Sequence, residues 1–572
     1  MTDVTTQTRA IGSAGSHPSS NLIDPVTHER RWKILAVLCL SLLIVFVGNS
    51  SLNVAIPTLS RVLGATTSQL QWVVAIYSLV FAGLLFSTGA LGDRFGRKGA
   101  LQTGLVIYLI ACVAATRSDT MWQLICCRAA MGVGAALIMP STLSILVNVF
   151  APDERTKAIA IWASVTGAAG AIGPVASGWL LGHFWYGSVF LVNIPILVVA
   201  LVSGWYLVPK SKDPEQGKLD PIGAALSIIG ISSLVYGLIE APEVGWADQS
   251  TIAAFAIGLA VLGLFVAWEL RQSEPMLDIR YFRNPAFSTG TAGMILVFLA
   301  MYGVMFLVTQ YFQLILGYSP LGSALRFLPM APIMIVVAPL TPRLAARFGA
   351  NRVVAGGLAG VGLGLAVFRG LDIHTPYWYI LIAVVPLVSG MALAMSPMTA
   401  AIMSAVPPRR AGSGSAMNDA TRELGAALGV AVMGSVAASR YASHLSHVTA
   451  SFPDATTAQA RTSLADAIAA AHRLPPNLSQ QLTSGADHAF IDGIHFAVIT
   501  GAMLAFIASA TVLRYLPHRL DHNTGGPTAV GDGDRTADPA VDGAPTHDEP
   551  AIVLTAADSA ARLTPSIEEI AR

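Results

Sequence analysis

The sequence Gly89-Ala-Leu-Gly-Asp-Arg-Phe-Gly-Arg-Lys98 lies between two long apolar stretches and connects them tightly. Its glycines allow two helices to approach closely and the chain to turn sharply. Asp93 can accept hydrogen bonds from Arg94 or Arg97. We interpret the segment as a charged latch that holds one conformation of a rocking helical bundle; the alternative is a basic loop that only sets membrane orientation. The predicted latch residues are Gly89, Gly92, Asp93, Arg94, Gly96, Arg97 and Lys98.

Apolar stretches of about 20 residues, the length that crosses the hydrocarbon core as a helix, recur on both sides of this segment. Of the 572 residues, 54% are hydrophobic and only 12% are charged, which is too few charges to cover a series of soluble domains. The sequence therefore predicts an all-α integral membrane protein. We place its spans at residues 33–57, 69–91, 99–116, 121–148, 158–182, 187–208, 222–240, 251–270, 286–315, 322–343, 352–371, 377–404, 412–439 and 493–516.

Basic residues alternate between the connecting loops and predict the orientation of these spans. If the N-terminus is inside, the outside loops carry Arg61 and Arg117 and no other basic residue before the segment 440–492. Cytoplasmic loops typically carry an excess of Lys and Arg, so the basic loops are predicted to lie in the cytoplasm. The even number of spans then places both termini on that side. The basic residues of the inside face are Arg30, Arg31, Lys33, Arg94, Arg97, Lys98, Arg155, Lys157, Lys210, Lys212, Lys218, Arg271, Arg280, Arg283, Arg343, Arg347, Arg352, Arg409 and Arg410.

The same pattern divides the chain into regions. We predict a cytoplasmic polar tail, an N-terminal six-helix half, two linking transmembrane helices, a C-terminal six-helix half with the outside loop 440–492, and an acidic tail too poor in apolar residues to form a core. That tail either binds a partner or is simply solvated. The boundaries, in the same order, are 1–29, 30–208, 209–285, 286–516 and 517–572.

A degenerate second copy of the latch segment indicates an internal duplication. Leu91-Gly-Asp-Arg-Phe-Gly96 parallels Leu344-Ala-Ala-Arg-Phe-Gly349, in which Ala346 takes the place of the acid. The complete segment at 89–98 resembles the signature motif of the major facilitator superfamily. That resemblance implies two related halves with a substrate site between them.

Further motifs are similar to those of the fourteen-helix drug:proton antiporter family of this superfamily. They include Arg128-Ala-Ala-Met-Gly-Val-Gly134 in the fourth span and Gly167-Ala-Ala-Gly-Ala-Ile-Gly-Pro-Val-Ala-Ser-Gly178 in the fifth, the latter resembling a motif of exporters. The resemblance gives Arg128 a part in proton coupling, and a structural tie to backbone carbonyls is the alternative. Gly170, Gly173, Pro174 and Gly178 form the exporter-type packing motif, or else a generic face for close helix packing.

The sequence departs from this family in the first span. Ser51-Leu-Asn-Val-Ala-Ile-Pro57 matches the family pattern, but Gly48 stands where the family usually has an aspartate. Asp419, in the thirteenth span, is then the candidate proton carrier, with Arg128 or Arg422 as the modulating charge. Asp419 and Arg422 are three residues apart and can meet on one helix face, so an internal ion pair without a coupling role is the alternative.

Polar and aromatic side chains in the spans are candidates for a substrate cavity: Asn49, Asn53, Trp72, Tyr77, Trp162 and Met395. If Arg128 and Arg422 face that cavity, their charges favour neutral or anionic amphiphiles. The spans contain no His pair at helical spacing and the chain has no Gly-x-x-x-x-Gly-Lys-Ser/Thr loop, so we predict no metal, no cofactor and no ATP drive. A net charge of +1 gives no reason to expect nucleic acid.

The function predicted from these features is proton-coupled efflux of lipophilic small molecules by alternating access, without enzymatic chemistry. The partners are the substrate, protons and the lipid bilayer, and the protein is expected to act as a monomer in the inner (cytoplasmic) membrane. An exporter of a dedicated lipid or metabolite is an alternative of the same class. A non-transporting membrane receptor is an alternative of a different class.

Overall fold

The computed structural model describes residues 25–211, 220–407, 411–449 and 452–518, and the predictions for residues 1–24 and 519–572 lie outside these ranges. All regular secondary structure in the described residues is helical. Fourteen helices of the described chain are long and apolar enough to cross a membrane, which confirms the predicted fold class and the number of spans.

The α-helices follow one another with short connections, as expected for antiparallel neighbours in a bundle. Within the described residues they are α1 (Pro25–Leu63), α2 (Thr67–Phe95), α3 (Arg97–Ala115), α4 (Met121–Val149), α5 (Pro152–His183), α6 (Ser188–Leu191), α7 (Asn193–Leu207), α8 (Pro221–Val244), α9 (Gln249–Arg271), α10 (Pro285–Gln310), α11 (Pro320–Leu325), α12 (Met330–Val337), α13 (Thr341–Phe348), α14 (Ala350–Phe368), α15 (Tyr377–Ser404), α16 (Ala411–Val448), α17 (Asp454–Thr462), α18 (Leu464–Ala471) and α19 (Pro476–Tyr515).

Two membrane spans are irregular. The span from Pro320 to Phe348 is divided into α11, α12, a 3-10 turn at Ala338–Leu340 and α13. Prolines stand at or near these breaks because proline cannot donate the backbone hydrogen bond that a continuous helix needs. The span that begins with α10 ends in a π-helical turn at Tyr311–Ile315.

The segment 440–492, predicted as an outside loop with helical stretches around Ala455–Arg473 and a break at Pro475–Pro476, is largely helical in its described residues. Helix α16 continues to Val448, α17 and α18 follow, and α19 begins at Pro476. Apolar residues of this segment are buried, among them Leu464 and Leu482. The segment is therefore a packed cap on the bundle rather than an extended connection.

Two turns with positive φ reveal the internal duplication more clearly than the sequence does. Gly96 (φ 116°) ends α2 and Gly349 (φ 91°) ends α13. The residue after Gly96 donates its backbone N–H to the carbonyl of Ser211, just beyond α7, at 3.1 Å. The residue after Gly349 donates in the same way to His518, just beyond α19, at 3.0 Å. Each turn is thus fastened to the end of the last helix of its own repeat.

Close helix contacts repeat in the same register. Gly104 and Gly134 bring α3 and α4 so near that a Cβ on either glycine would lie 2.8 Å from the other's carbonyl oxygen. Gly357 and Gly390 make the equivalent contact between α14 and α15. Matching hydrogen bonds run from Thr88 Oγ1 to Ala136 O at 2.6 Å and from Thr341 Oγ1 to Ala392 O at 3.2 Å. These correspondences support two related groups of helices, α1–α7 and α10–α19.

The hairpin of α8 and α9 packs beside the seam between these two groups, because α8 contacts both α2 and α16. On the α2 side, Glu240 accepts hydrogen bonds from Ser68 Oγ at 2.8 Å and Trp72 Nε1 at 3.3 Å. On the α16 side, Trp246 Nε1 donates to Ser439 Oγ at 3.1 Å. The hairpin therefore contacts both groups, through α8 and the turn that follows it.

Candidate functional site

Arg128, about two turns into α4, is completely buried and its guanidinium is held by the N-terminal helices. It donates to the carbonyls of Val73 at 3.1 Å and Gly48 at 3.5 Å, and to Asn49 Oδ1 at 3.2 Å. The guanidinium also lies 4.2 Å from the centre of the Tyr77 ring. No carboxylate is within ion-pair distance of Arg128 in the described part of the chain. Two of these contacts are to backbone carbonyls, the kind of contact that the structural alternative for Arg128 predicts.

Tyr108 occupies the space beside Gly48, where the family resemblance leads one to expect an aspartate. A Cβ placed on Gly48 would collide with the Tyr108 hydroxyl, and Tyr108 is fully buried. That hydroxyl donates to the Ile44 carbonyl at 3.5 Å. A tyrosine from α3 thus fills the position of the missing acidic side chain.

The acidic residues of α16 face two different environments. Asp419 forms the predicted ion pair with Arg422, with Oδ1 and Nη1 3.6 Å apart, and both side chains are partly exposed. Arg422 also lies over the ring of Phe298 at 5.0 Å. Glu423, one helical turn beyond Asp419, is buried and accepts a hydrogen bond of 2.6 Å from Ser78 of α2. Ser78 is also buried, so this bond joins the N-terminal and C-terminal helices inside the protein.

Glu423 is the main candidate residue that the sequence did not single out. Glu423 is four residues after Asp419 and therefore on a similar helix face. The sequence favoured Asp419 because Arg422, three residues after it, can form an ion pair with it. In the structure the two carboxylates differ in burial and in partner, because Asp419 pairs with Arg422 at a partly exposed position and Glu423 is buried against Ser78.

Other polar contacts cross the same seam toward the end of the bundle that contains the Gly64 turn, which we call the Gly64 end. Gln313 Nε2 donates to the carbonyl of Val54 at 2.9 Å, and Thr67 Oγ1 donates to that of Thr462 at 2.9 Å. Gln71, which is 1% exposed, lies against Gly434 and Ser435. The two groups of helices are thus joined from the level of Glu423 to the Gly64 end.

The predicted exporter-type motif of α5 makes one of these junctions, through Gly178, and a second contact within its own group, through Gly173. A Cβ on Gly178 would lie 2.8 Å from the Leu321 Cα atom and from the Pro320 carbonyl oxygen, so α5 and α11 meet backbone to backbone. Gly173 packs on α1, where Ser51 Oγ donates to its carbonyl at 3.0 Å. Pro174 is buried next to it, whereas a Cβ on Gly170 would meet open space.

The opposite end of the bundle, which we call the Gly96 end, is less closed on the α5 side. Helix α5 packs extensively on α11, but its contacts with α12 and α13 are slight. Large apolar residues of both helices are exposed there, including Ile161 of α5 and Ile335 and Val336 of α12.

The residues of the predicted latch contact their own group of helices. Lys98 Nζ donates to the Trp205 carbonyl at 2.6 Å, and Gly92 packs near Ala100 and Ser141. A Cβ on Gly89 would lie 3.8 Å from Pro140, and the Arg94 side chain is exposed. The side chain of Asp93 lies outside the described residues.

Most of the predicted cavity residues are buried among helices. Asn49 and Tyr77 contact Arg128, and Trp72 contacts Glu240 of α8. Asn53 is 1% exposed and both polar atoms of its amide lack a hydrogen-bond partner among the described residues. The remaining two, Trp162 and Met395, are half-buried. In the described ranges, no group of three His, Cys, Asp or Glu residues could hold a metal ion.

Comparison with known proteins identifies the family. The sequence model of the Major Facilitator Superfamily matches residues 38–430. The chain belongs to this superfamily. It is therefore a multi-pass membrane transporter and not an enzyme.

Several relatives within the major facilitator superfamily share most of their length with this chain. The multidrug efflux pump LfrA of Mycolicibacterium smegmatis is 34% identical over 85% of this chain and 96% of its own length. The methyl viologen resistance protein SmvA of Salmonella typhimurium is 33% identical over 84% and 97%. The multidrug resistance protein Stp of Mycobacterium tuberculosis is 32% identical over 73% and 78%.

Solved structures of the superfamily share the fold at low sequence identity. A bacterial homologue of the human lysosomal transporter Spinster superposes with a TM-score of 0.59 at 17% identity, covering 86% of this chain and 98% of its own. The xylose transporter XylE from E. coli gives a TM-score of 0.52 at 12% identity, covering 86% and 97%.

Proposed function

We propose that this transporter exports lipophilic small molecules in exchange for protons, by alternating access between the two groups of helices. The observation that carries the proposal is the hydrogen bond between Ser78 and Glu423, because it places a protonatable group on the seam that must open and close. Protonation of the carboxylate changes its charge and its hydrogen-bonding role, so proton binding and the contact between the helices can influence each other.

Asp419 and Arg422 form the second part of the proposed proton site. Their ion pair is partly exposed and lies within one turn of Glu423, so it can relay protons between the buried carboxylate and an aqueous cavity. Arg128 holds α2, α1 and α4 together and contributes a fixed positive charge to the region. In this proposal, Glu423 titrates, Asp419 relays and Arg128 is structural.

Export also requires an orientation. Basic residues are concentrated in the turns of the Gly96 end, which supports a cytoplasmic location for that end in the inner membrane and for both termini. The junctions at Gln313, Thr67 and Gly178 then close the external side. We infer that the structure represents an inward-facing state of a monomer.

The proposed substrates include cationic molecules. Arg128 is completely buried and each of its three guanidinium nitrogens donates to a group of the protein, and Arg422 is ion-paired with Asp419, so neither guanidinium is directed toward an anionic substrate. Glu423 adds a negative charge on the seam. The names of the relatives LfrA and SmvA, which refer to multidrug efflux and to methyl viologen resistance, support lipophilic drug-like substrates, cations among them.

The decisive experiment is transport by purified protein in proteoliposomes under an imposed pH gradient. Ethidium, a neutral lipophilic dye and an anionic dye would be tested with the wild type and with Asp419→Asn and Glu423→Gln. We expect gradient-driven flux of the cation, strongly reduced by Glu423→Gln and partly reduced by Asp419→Asn. Flux that is independent of the imposed pH gradient would contradict proton coupling.

Two alternatives have distinct outcomes in the same assay. An exporter of a dedicated lipid or metabolite would move none of the three dyes but would respond to addition of its own substrate. A receptor without transport activity would show no flux of any compound, although it would still bind ligand.

A further inference from the structure

A groove on the membrane-facing surface lies between α3 and α7, away from the seam. Its volume is about 560 Å³, and its walls include Val106 of α3 and Val202, Trp205 and Tyr206 of α7. These four side chains are exposed, Tyr206 to 76% and Trp205 to 65%. The groove is therefore an elongated apolar surface that the described protein leaves uncovered.

A polar contact forms the base of the groove. Gln102 is only 7% exposed, and its amide lies between the Leu201 carbonyl at 3.2 Å and the Trp205 backbone N–H at 3.1 Å, in the orientation that satisfies both. Gly204 permits this approach, because a Cβ there would collide with the amide. This contact thus joins α3 and α7 at the base of the apolar groove.

Two lysines lie at one end of this groove. Lys98 lies one turn before Gln102 on the same face of α3, since residues four apart share a helix face. Lys210 follows α7 and is close enough for its charge to act on Lys98. The backbone bond from Arg97 to Ser211 fixes the two chain segments side by side. Among the described residues, no salt bridge occupies either lysine.

We propose that this groove binds an anionic phospholipid, whose phosphate lies at Lys98 and Lys210 and whose acyl chain lies along Val106 and Val202. The separation of Lys98 and Val106 along α3 is about 12 Å, enough for a large part of an acyl chain. Trp205 and Tyr206 have the apolar body and polar tip that place such side chains at the level of lipid headgroups. Paired basic charges beside an apolar groove select an anionic headgroup over a zwitterionic one.

The position of the lipid links it to the Gly96 turn. Lys98 also donates to the Trp205 carbonyl, and the Gly96 turn is fastened to Ser211. A phosphate at Lys98 and Lys210 offsets their mutual repulsion and thereby stabilises the docking of this turn on the end of α7. The bound lipid is expected to stabilise the protein as well as to occupy the groove.

The test measures lipid retention by the full-length protein in detergent with native mass spectrometry, together with the melting temperature in added phosphatidylglycerol or phosphatidylcholine. The wild type should retain phosphatidylglycerol and melt higher in its presence than in phosphatidylcholine. Lys98→Gln/Lys210→Gln should lower the apparent affinity for phosphatidylglycerol by about tenfold to thirtyfold, the effect of removing two basic charges. Lys210→Gln alone should have an intermediate effect.

Two further variants separate the groove from general surface charge. Val202→Trp fills the groove without altering its charge and should reduce phosphatidylglycerol retention. Arg343→Gln/Arg352→Gln removes two exposed charges near the equivalent turn of the second repeat and should leave retention unchanged. Equal retention of the two lipids by the wild type, unchanged retention in Val202→Trp, or an equal loss in the arginine control would each overturn the proposal.

Discussion

Ser78 of α2 donates a hydrogen bond of 2.6 Å to the carboxylate of Glu423 in α16, and both side chains are buried. The two residues are far apart in the sequence and belong to different repeats. Short bonds to a carboxylate are stronger than bonds between neutral groups, so this contact stabilises the closed seam as long as the carboxylate is charged. It gives the clearest predictions about coupling.

Replacing Glu423 with Gln separates charge from hydrogen bonding. The amide oxygen can still accept from Ser78 but cannot bind and release a proton. We expect gradient-driven transport to fall by about tenfold or more, which corresponds to a loss of roughly 1.4 kcal/mol or more in the coupled step. The fall in transport is measured as substrate flux in proteoliposomes at several imposed pH gradients.

Ser78→Ala makes the complementary change, removing the donor while Glu423 remains able to titrate. We expect transport to keep its dependence on the pH gradient, with an altered rate. Glu269→Gln is the matched control, since Glu269 is a buried carboxylate of α9 that, among the described residues, accepts a hydrogen bond from the backbone N–H of Leu277 and not from the helices of either group. Equal losses in Glu269→Gln and Glu423→Gln would show that any buried carboxylate matters, and not the one on the seam.

Gly178→Ala should loosen the Gly64 end. Its Cβ would lie 2.8 Å from backbone atoms of α11, so the two helices must separate. We expect a longer and broader distance distribution between spin labels at Gly182→Cys and Leu325→Cys, measured by double electron–electron resonance after replacement of the four native cysteines. Gly170→Ala, whose Cβ meets open space on the same helix, should leave the distribution unchanged.

Gly48→Asp should be poorly tolerated because the Tyr108 hydroxyl fills the space beside Gly48. Adding Tyr108→Phe removes that hydroxyl and should restore much of the folded yield and melting temperature. Tyr108→Phe by itself loses the long 3.5 Å bond to Ile44, and should cost about 1 kcal/mol. Failure of the double variant to recover would contradict this explanation of the missing acid.

Glu240→Ala should weaken the attachment of the α8–α9 hairpin to α2, because Glu240 accepts bonds from both Ser68 and Trp72. The expected loss is about 1–3 kcal/mol for each bond to the charged acceptor. Trp72→Phe removes one bond and should have a smaller effect. Thermal unfolding in detergent measures both, and Tyr236→Phe, which keeps its ring beside Trp72, should unfold like the wild type.

The sequence alone determined the number of spans. Each membrane crossing needs its own apolar stretch, so the information is local, and the linking pair α8 and α9 was located in the same way. Loop charge and the turn at Gly96 are local features in the same way. In the segment 440–492 the helical stretch around Ala455–Arg473 was likewise a local prediction, whereas the burial of Leu464 and Leu482 depends on contacts with other helices.

The tertiary structure decided which side chains act together. Asp419 and Glu423 lie one turn apart and are chemically similar, and only the packing of α2 against α16 places Ser78 opposite Glu423. Likewise, only the tertiary structure shows that the space beside Gly48 is filled by Tyr108 of another helix. Such pairings depend on helix rotation and crossing distance, which result from contacts between segments remote in the chain and leave no periodic signal within either one.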